Sequence, residues 1–312
     1  MIHIEGLTKY YDDFCAVDNI SLDIRKGEII GLLGPNGAGK TTTLRMLTGY
    51  FQPSSGTIKV KDFFVSDQAL DVKRCIGYLP ESAPLYHDMI VYDYLCYVAD
   101  IWGFTSEGKV SRIRKLSDLC GLENIMHKTI GELSKGLKQR VGIAHAMMSD
   151  PEILILDEPT SGLDPNQIVE IRKIIKDIGK EKTIILSTHI LTEAEATCDR
   201  IIIINKGKIV ADGTTESIKQ SEEEGSSINI SLKDAEFSTV ESVLKSIPNV
   251  MEIKKNPSDQ ETILSITVHV KDAKDLREDI YLMIKKHDWI IIEFYQERHS
   301  LENIFRTLTM ES

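Results

Sequence analysis

At 312 residues, with 42% hydrophobic and 27% charged side chains, the chain has ordinary globular usage and room for one large domain or two smaller ones. Collagen-like, low-complexity and disordered readings are excluded. The net charge of −11, with no basic surplus in either half, argues against a nucleic-acid partner, and five cysteines without CxxC spacing suit thiols in a reducing compartment rather than a disulfide frame or zinc site.

In chain order, the opening Met1-Ile2-His3-Ile4-Glu5-Gly6 lacks the basic end and apolar core of a signal peptide. Apolar Ile20, Leu22 and Ile24 alternate with Ser21 and Asp23, which predicts a half-buried antiparallel strand with residues 2–4 and 57–60 as neighbours. The runs 28–33, 153–156, 183–186 and 201–204 are nearly continuous and rich in β-branched residues, as in parallel strands covered on both faces. Helical stretches fall between them, at 41–48, 91–101, 110–120, 137–148, 167–179 and 191–197. The expected core is therefore α/β with a parallel sheet. Residues 82–133 hold helices and no convincing strand, which reads as an inserted helical subdomain. No apolar run approaches the roughly 20 residues that cross a bilayer, so the chain is expected to be soluble by itself.

Past Gly213 the texture changes. The acidic stretch 217–227, with Glu222, Glu223, Glu224 and Gly225, reads as a linker. Beyond it come strands at 228–232, 250–254, 262–270 and 289–294, helices at 235–247 and 273–286, and a final helix at 301–308. The order βαββαβ is that of a small ferredoxin-like α+β domain over 228–312.

Chemistry concentrates first in Gly34-Pro35-Asn36-Gly37-Ala38-Gly39-Lys40-Thr41-Thr42, which contains GxxxxGK[ST] between an apolar strand and a helix. Glycines let successive N–H groups turn toward phosphate oxygens, and the following helix aims its positive end at the same oxygens. Lys40 brings a point charge to the β- and γ-phosphates, and the Thr41 hydroxyl can bind magnesium. The bland alternative is a Gly-rich turn capping a helix; the flanking strand and helix favour phosphate. A second strand, Ile153-Leu154-Ile155-Leu156, ends in Asp157-Glu158, where ligands of open α/β sheets sit. Asp157 can orient magnesium, and Glu158 can polarise the attacking water as general base; taken alone, the pair also reads as a polar strand end capping the helix after Pro159. His189 follows the 183–186 run and can reach a γ-phosphate, although a lone histidine there also reads as a surface residue.

Together these elements resemble an ABC-type ATP-binding cassette, a P-loop NTPase core with antiparallel β and helical subdomains, here over residues 1–216 with the helical part at 82–145. Leu133-Ser134-Lys135-Gly136-Leu137 is similar to the family signature, Ser161-Gly162-Leu163-Asp164 to its D-loop, and His189 to its switch histidine. Tyr11, 29 residues before Lys40, stands where the family places an adenine-stacking aromatic, with Tyr10 the second choice. The resemblance implies that ATP and Mg2+ are held between two cassettes, the Ser134-led helix end of one meeting the γ-phosphate of the other. Taken alone, Ser134 is simply an N-cap. Asp164 would lie at the dimer contact, and Glu81 would join Thr41 and Asp157 at the metal. Glu81 replaces the usual glutamine and adds negative charge, which raises one carboxylate's pKa or slows turnover. Leu137 replaces the usual glutamine of the signature, and Lys135 its first glycine.

The implied function is the ATP-hydrolysing motor of an exporter, a homodimer at the cytoplasmic face of the membrane with a separate permease. Residues 77–95 and the helical insert would receive the permease, with Tyr86, Tyr92, Tyr94, Tyr97 and Trp102 as anchors; packing inside the helical subdomain is the favoured reading for most of these. The signature and the end Ser300-Leu301-Glu302-Asn303-Ile304-Phe305 look like the class serving drug, sodium, polysaccharide or gliding-motility export. The alternative is a soluble ABC-type ATPase acting on ribosomes or DNA, against which stand the single cassette, the lack of sustained heptads and the lack of a basic tail. A nucleotide kinase would explain neither the signature nor Asp164. For the C-terminal domain, packing or dimerisation ranks ahead of ligand sensing.

Overall fold

The computed structural model describes residues 1–221, 226–257, 262–271 and 275–297, with Glu302, Phe305 and Arg306. The chain divides between Thr215 and Glu216 into two compact units. The first opens with the hairpin β1 (Ile2–Tyr11) and β2 (Phe14–Ile24), then β3 (Ile29–Leu33) and α1 (Lys40–Leu47). It continues through β4 (Ser55–Val60), β5 (Phe63–Phe64), α2 (Ala69–Cys75) and β6 (Ile76–Leu79). Three helices follow, α3 (Val91–Ile101), α4 (Ser106–Cys120) and α5 (Lys135–Ala146). The alternation β7 (Ile153–Asp157), α6 (Pro165–Gly179), β8 (Thr183–Thr188), α7 (Leu191–Thr197), β9 (Arg200–Asn205) leads to β10 (Lys208–Gly213).

These strands sort into an antiparallel sheet ordered β2-β1-β4-β5 and a six-stranded sheet ordered β10-β9-β3-β8-β7-β6, parallel except at β10. The unbroken apolar runs have a physical cause: both faces of the parallel sheet are buried. Ile153 and Ile155 pack with Ile30, Leu32 and the hairpin's Ile4 and Ile20, while Leu154 and Leu156 pack with Val141 of α5 and Ile171 of α6. Each such buried side chain contributes about 1.5–3 kcal/mol.

Three departures from the sequence pattern have local reasons. β1 extends well beyond residue 4, but a register shift between Ile4 and Leu7, with Gly6 at φ 58, puts Leu7 and Thr8 both inside and destroys the alternation. β6 has only four residues, one of them Gly77, too few to show a period. β10 is a half-buried edge strand whose Ala211, Asp212 and Gly213 are poor strand formers.

In the helical insert, Tyr94 is 2% exposed and belongs to the core, but Tyr97 and Trp102 are 42% and 41% exposed. The packing reading therefore fails for those two; they face outward with Tyr86 and Tyr92. Tyr94 Oη lies 2.6 Å from His145 Nδ1. Burial pushes the Tyr94 hydroxyl up to about 12 and pulls His145 below its ordinary value of 6.5. His145 thus folds neutral, whereas the unfolded chain takes up its proton as pH drops through about 6.5. Its contribution to stability is complete above that pH and is lost as pH falls toward the lowered folded value. In thermal melts between about pH 6.5 and 5, His145→Gln is expected to lose Tm less steeply than the parent; equal slopes would contradict this assignment.

Part of the stretch read as a linker is α8 (Thr215–Ser221), and the next strand starts inside it. The second unit runs β11 (Ser226–Lys233), α9 (Phe237–Leu244), β12 (Val250–Lys255), β13 (Ile263–Val270), α10 (Arg277–Ile284) and β14 (Ile290–Glu297). Its sheet is antiparallel, ordered β12-β13-β11-β14, a split-βαβ arrangement. Ile228, Ile230 and Leu232 pack there with Val240, Leu244, Ile266 and Ile280. α9 stops short of residue 247 because Pro248 disfavours helix at the residue before it. The start expected for α10, at 273, and most of the expected final helix at 301–308 lie outside the described residues.

Candidate active site

Because β3, β8 and β7 are neighbours, the segments leaving their C-terminal ends meet at one place. The glycine-rich loop leaves β3, Glu158 follows β7, and His189 follows β8. They border a cleft of about 420 Å3 whose other walls come from the β1–β2 hairpin and from Glu81 and Ser161.

Of the expected site residues, Tyr11, Asn36, Gly37, Ala38, Gly39, Lys40, Thr41, Thr42, Glu81, Glu158 and His189 line this cleft; Tyr10 does not. Gly34 and Pro35 take part through their carbonyls, which accept from Lys40 Nζ at 2.8 and 3.3 Å. Asp157 stands one layer behind, 1% exposed, and accepts from Thr41 Oγ1 at 3.0 Å. The loop needs its last glycine. Gly39 has φ 107, and a Cβ there would lie 2.5 Å from the Ala16 carbonyl oxygen. α1 starts directly at Lys40, so the helix N-terminus opens onto the cleft.

Lys40 Nζ also sits 3.3 Å from Glu158 Oε1, with side chains only 6% and 10% exposed. Glu158 Oε2 is 2.8 Å from His189 Nδ1, so the carboxylate lies between an ammonium group and an imidazole. Its backbone is left-handed, φ 48, a conformation that costs a non-glycine residue about 1 kcal/mol or more. The Glu158 N–H is satisfied by Ser187 Oγ at 2.9 Å. Fixed in this way at the edge of a phosphate loop, a carboxylate can take a proton from water.

The signature residues Leu133, Ser134, Lys135, Gly136 and Leu137 do not line this cleft. Ser134 is the N-cap of α5, its Oγ accepting from Leu137 N at 3.3 Å. Gly136 packs against Gln167, where a Cβ would come within 2.7 Å of the amide carbon. Asp164 caps α6, one carboxylate oxygen accepting from the Asn166 and Gln167 N–H groups at 3.0 Å, with Pro165 opening the helix. Within one chain, then, both residues play their simple capping roles.

Phe14, Ala16 and Ser187 were missed by the sequence reading, and Ser161, read only as the start of the D-loop-like segment, also lines the cleft. Phe14 lies directly across the hairpin from Tyr11, and the pair Tyr11/Phe14 around Asp12-Asp13 was a readable turn signal. Ser161 Oγ is 3.5 Å from Glu81 Oε1 on the cleft wall. Ser187 carried only the faint signal of a hydroxyl at the end of an apolar strand.

A family model described as ABC transporter matches residues 17–161, and one described as AAA domain, putative AbiEii toxin, Type IV TA system, matches residues 129–194. The uncharacterized ABC transporter ATP-binding protein YxlF of Bacillus subtilis (strain 168) is 36% identical over 306 residues, 98% of either chain. The Nod factor export ATP-binding protein I of Burkholderia orbicola is 36% identical over 222 residues, 71% of this chain and 73% of that one. Among solved structures, cbiO1 from Clostridium perfringens, part of the ABC transporter complex cbiONQ, aligns with a TM-score of 0.65 at 30% identity, covering 71% of this chain and 91% of its own.

Proposed function

The chain belongs to the ABC transporter ATP-binding protein family and is an ATP-hydrolysing cassette, and from that premise we propose that two copies clasp ATP and Mg2+ to drive export through a separate membrane permease. The observation that carries the reading is the Glu158 carboxylate, held 3.3 Å from Lys40 and 2.8 Å from His189 at the mouth of the glycine-rich loop.

In this proposal the loop N–H groups, the α1 N-terminus and Lys40 hold the β- and γ-phosphates, and Tyr11 stacks on adenine. Thr41 and Asp157, two hard oxygen ligands 3.0 Å apart, fit magnesium, which keeps waters and substrate phosphates as its other partners. Glu81, on the cleft wall, would be a further ligand. When bound, the ion neutralises charge on the phosphate oxygens. Glu158 takes the proton of the attacking water, and His189 steadies Glu158 and reaches the γ-phosphate.

The cleft is open on the side of solvent, and a second copy would close it with the Ser134 hydroxyl and Gly136 N–H of its signature helix, Asp164 lying at the contact. The arrangement is isologous, with two equivalent sites. Export is supported by the likeness to the Nod factor export protein. Tyr86, Tyr97 and Trp102, exposed on or near α3, are the proposed anchors for cytoplasmic permease helices. Among the described residues no helix is long and apolar enough to cross a membrane, so in this scheme the permease provides the attachment, at the cytoplasmic face. The second unit is assigned a packing or dimer-stabilising role. The test is affinity purification of the tagged full chain from detergent-solubilised membranes. A polytopic membrane protein is expected in stoichiometric yield; recovery solely with ribosomes or DNA would overturn the permease.

A further inference from the structure

Ser187 is fully buried at the C-terminal end of β8, directly opposite Asp157 in the parallel β7–β8 register. Its hydroxyl makes two hydrogen bonds at once. It donates to Asp157 Oδ1 at 2.6 Å and accepts from the Glu158 N–H at 2.9 Å. The donor side matters because Asp157 Oδ1 also accepts from Thr41 Oγ1 at 3.0 Å, so two hydroxyls from different elements aim one carboxylate. The acceptor side matters because Glu158 has left the strand with φ 48, and its buried N–H no longer has a ladder carbonyl to meet. Two residues on, His189 leaves the same strand end and meets the Glu158 carboxylate at 2.8 Å.

We propose that Ser187 is a positioning residue for the hydrolytic step: its single hydroxyl fixes the peptide between Asp157 and Glu158, setting the metal-facing carboxylate and the proton-accepting carboxylate in one register. The inference rests on the reading of Glu158 as general base and of Asp157 as a magnesium ligand. Alanine at 187 leaves the Glu158 N–H unpaired inside the protein and frees the Asp157 carboxylate to turn. The strained turn then has less holding it, and the Glu158 side chain moves relative to the phosphates. Misplacement on the scale of an ångström costs on the order of a hundredfold in rate, and partial misplacement correspondingly less. Nucleotide affinity, which comes from the loop and Lys40, is left nearly as it was.

The test uses the purified full chain and its basal ATP hydrolysis. Ser187→Ala is expected to lower kcat by about tenfold or more, with KM for ATP changed less than about twofold. The magnesium concentration for half-maximal activity should rise severalfold. Ser187→Thr, which keeps the hydroxyl on a β-branched strand residue, should recover most of the rate, and Ser187→Cys, of similar size but a weak hydrogen-bonding partner, should not. Two readouts are independent of turnover. Fluorescent-nucleotide binding without metal should be unchanged in Ser187→Ala, while the enhancement of that binding by magnesium should shrink. Unchanged kcat in Ser187→Ala, a loss confined to KM, or a Thr variant no better than Ala would overturn the role of Ser187. Glu158→Gln is measured in parallel: if it is inactive and Ser187→Ala is not, only the present inference falls, whereas normal hydrolysis by Glu158→Gln would remove both it and the general base.

Discussion

Glu158→Gln is expected to retain ATP while losing turnover by about 10²- to 10⁴-fold, the range over which a positioned general base acts. The amide keeps the shape of the side chain and its place near His189 and Lys40, but it has no basic oxygen for the proton of water. It also removes one negative charge from a site that must accept a triphosphate, so affinity should hold or improve. Single-turnover hydrolysis beside equilibrium nucleotide binding separates these two effects. Hydrolysis at the parental rate would show that another group accepts the proton.

Lys40→Ala is expected to fail at the earlier step, with nucleotide affinity weakened by about 10- to 100-fold, since a hydrogen bond to a charged group contributes about 1.5–3 kcal/mol. Two consequences follow from the position of Lys40, which is 5% exposed and donates to the Gly34 and Pro35 carbonyls. Loss of the ammonium removes the charge that meets the phosphates, and it also unties the loop from its own side chain. Glu158 is left with His189 alone, so the melting temperature should fall too, and binding has to be referred to the folded fraction. The two variants therefore separate cleanly, one binding without turning over and the other binding poorly from the start. Parental affinity in Lys40→Ala, measured by titration calorimetry, would remove Lys40 from the phosphate site.

What the sequence disclosed follows how locally each piece of chemistry is encoded. The phosphate loop is contiguous, because the need for close backbone approach and for a lysine just inside the helix fixes both residue types and spacing. Glu158 and His189 were legible as polar groups ending apolar strands, and the order β3-β8-β7 then brought those ends together. Ser187 and Phe14 were not, because what they touch is set by sheet register and hairpin pairing rather than by neighbours in sequence. The same reason hid β10, whose pairing with β9 is tertiary, and most of β1, where the bulge near Gly6 erased the period. Tyr94 and Tyr97 make the point from the helical side. Three residues apart on α3 and so only about 60° apart around it, one is buried against His145 and the other stands at the surface, because the edge of the buried face is set by what packs on the helix and not by the aromatic-rich run itself.

Two chains sharing ATP between the Lys40 loop of one and the Ser134 helix end of the other is the central claim, and the mass of the Glu158→Gln full chain in solution tests it most directly. By light scattering or sedimentation, without nucleotide, the particle should have the single-chain mass of 35.1 kDa. With ATP and Mg2+ it should double, and Ser134→Arg introduced into the same chain should return it to one copy while its own loop still binds nucleotide. A Glu158→Gln chain saturated with ATP that remains at the mass of one copy would contradict the account.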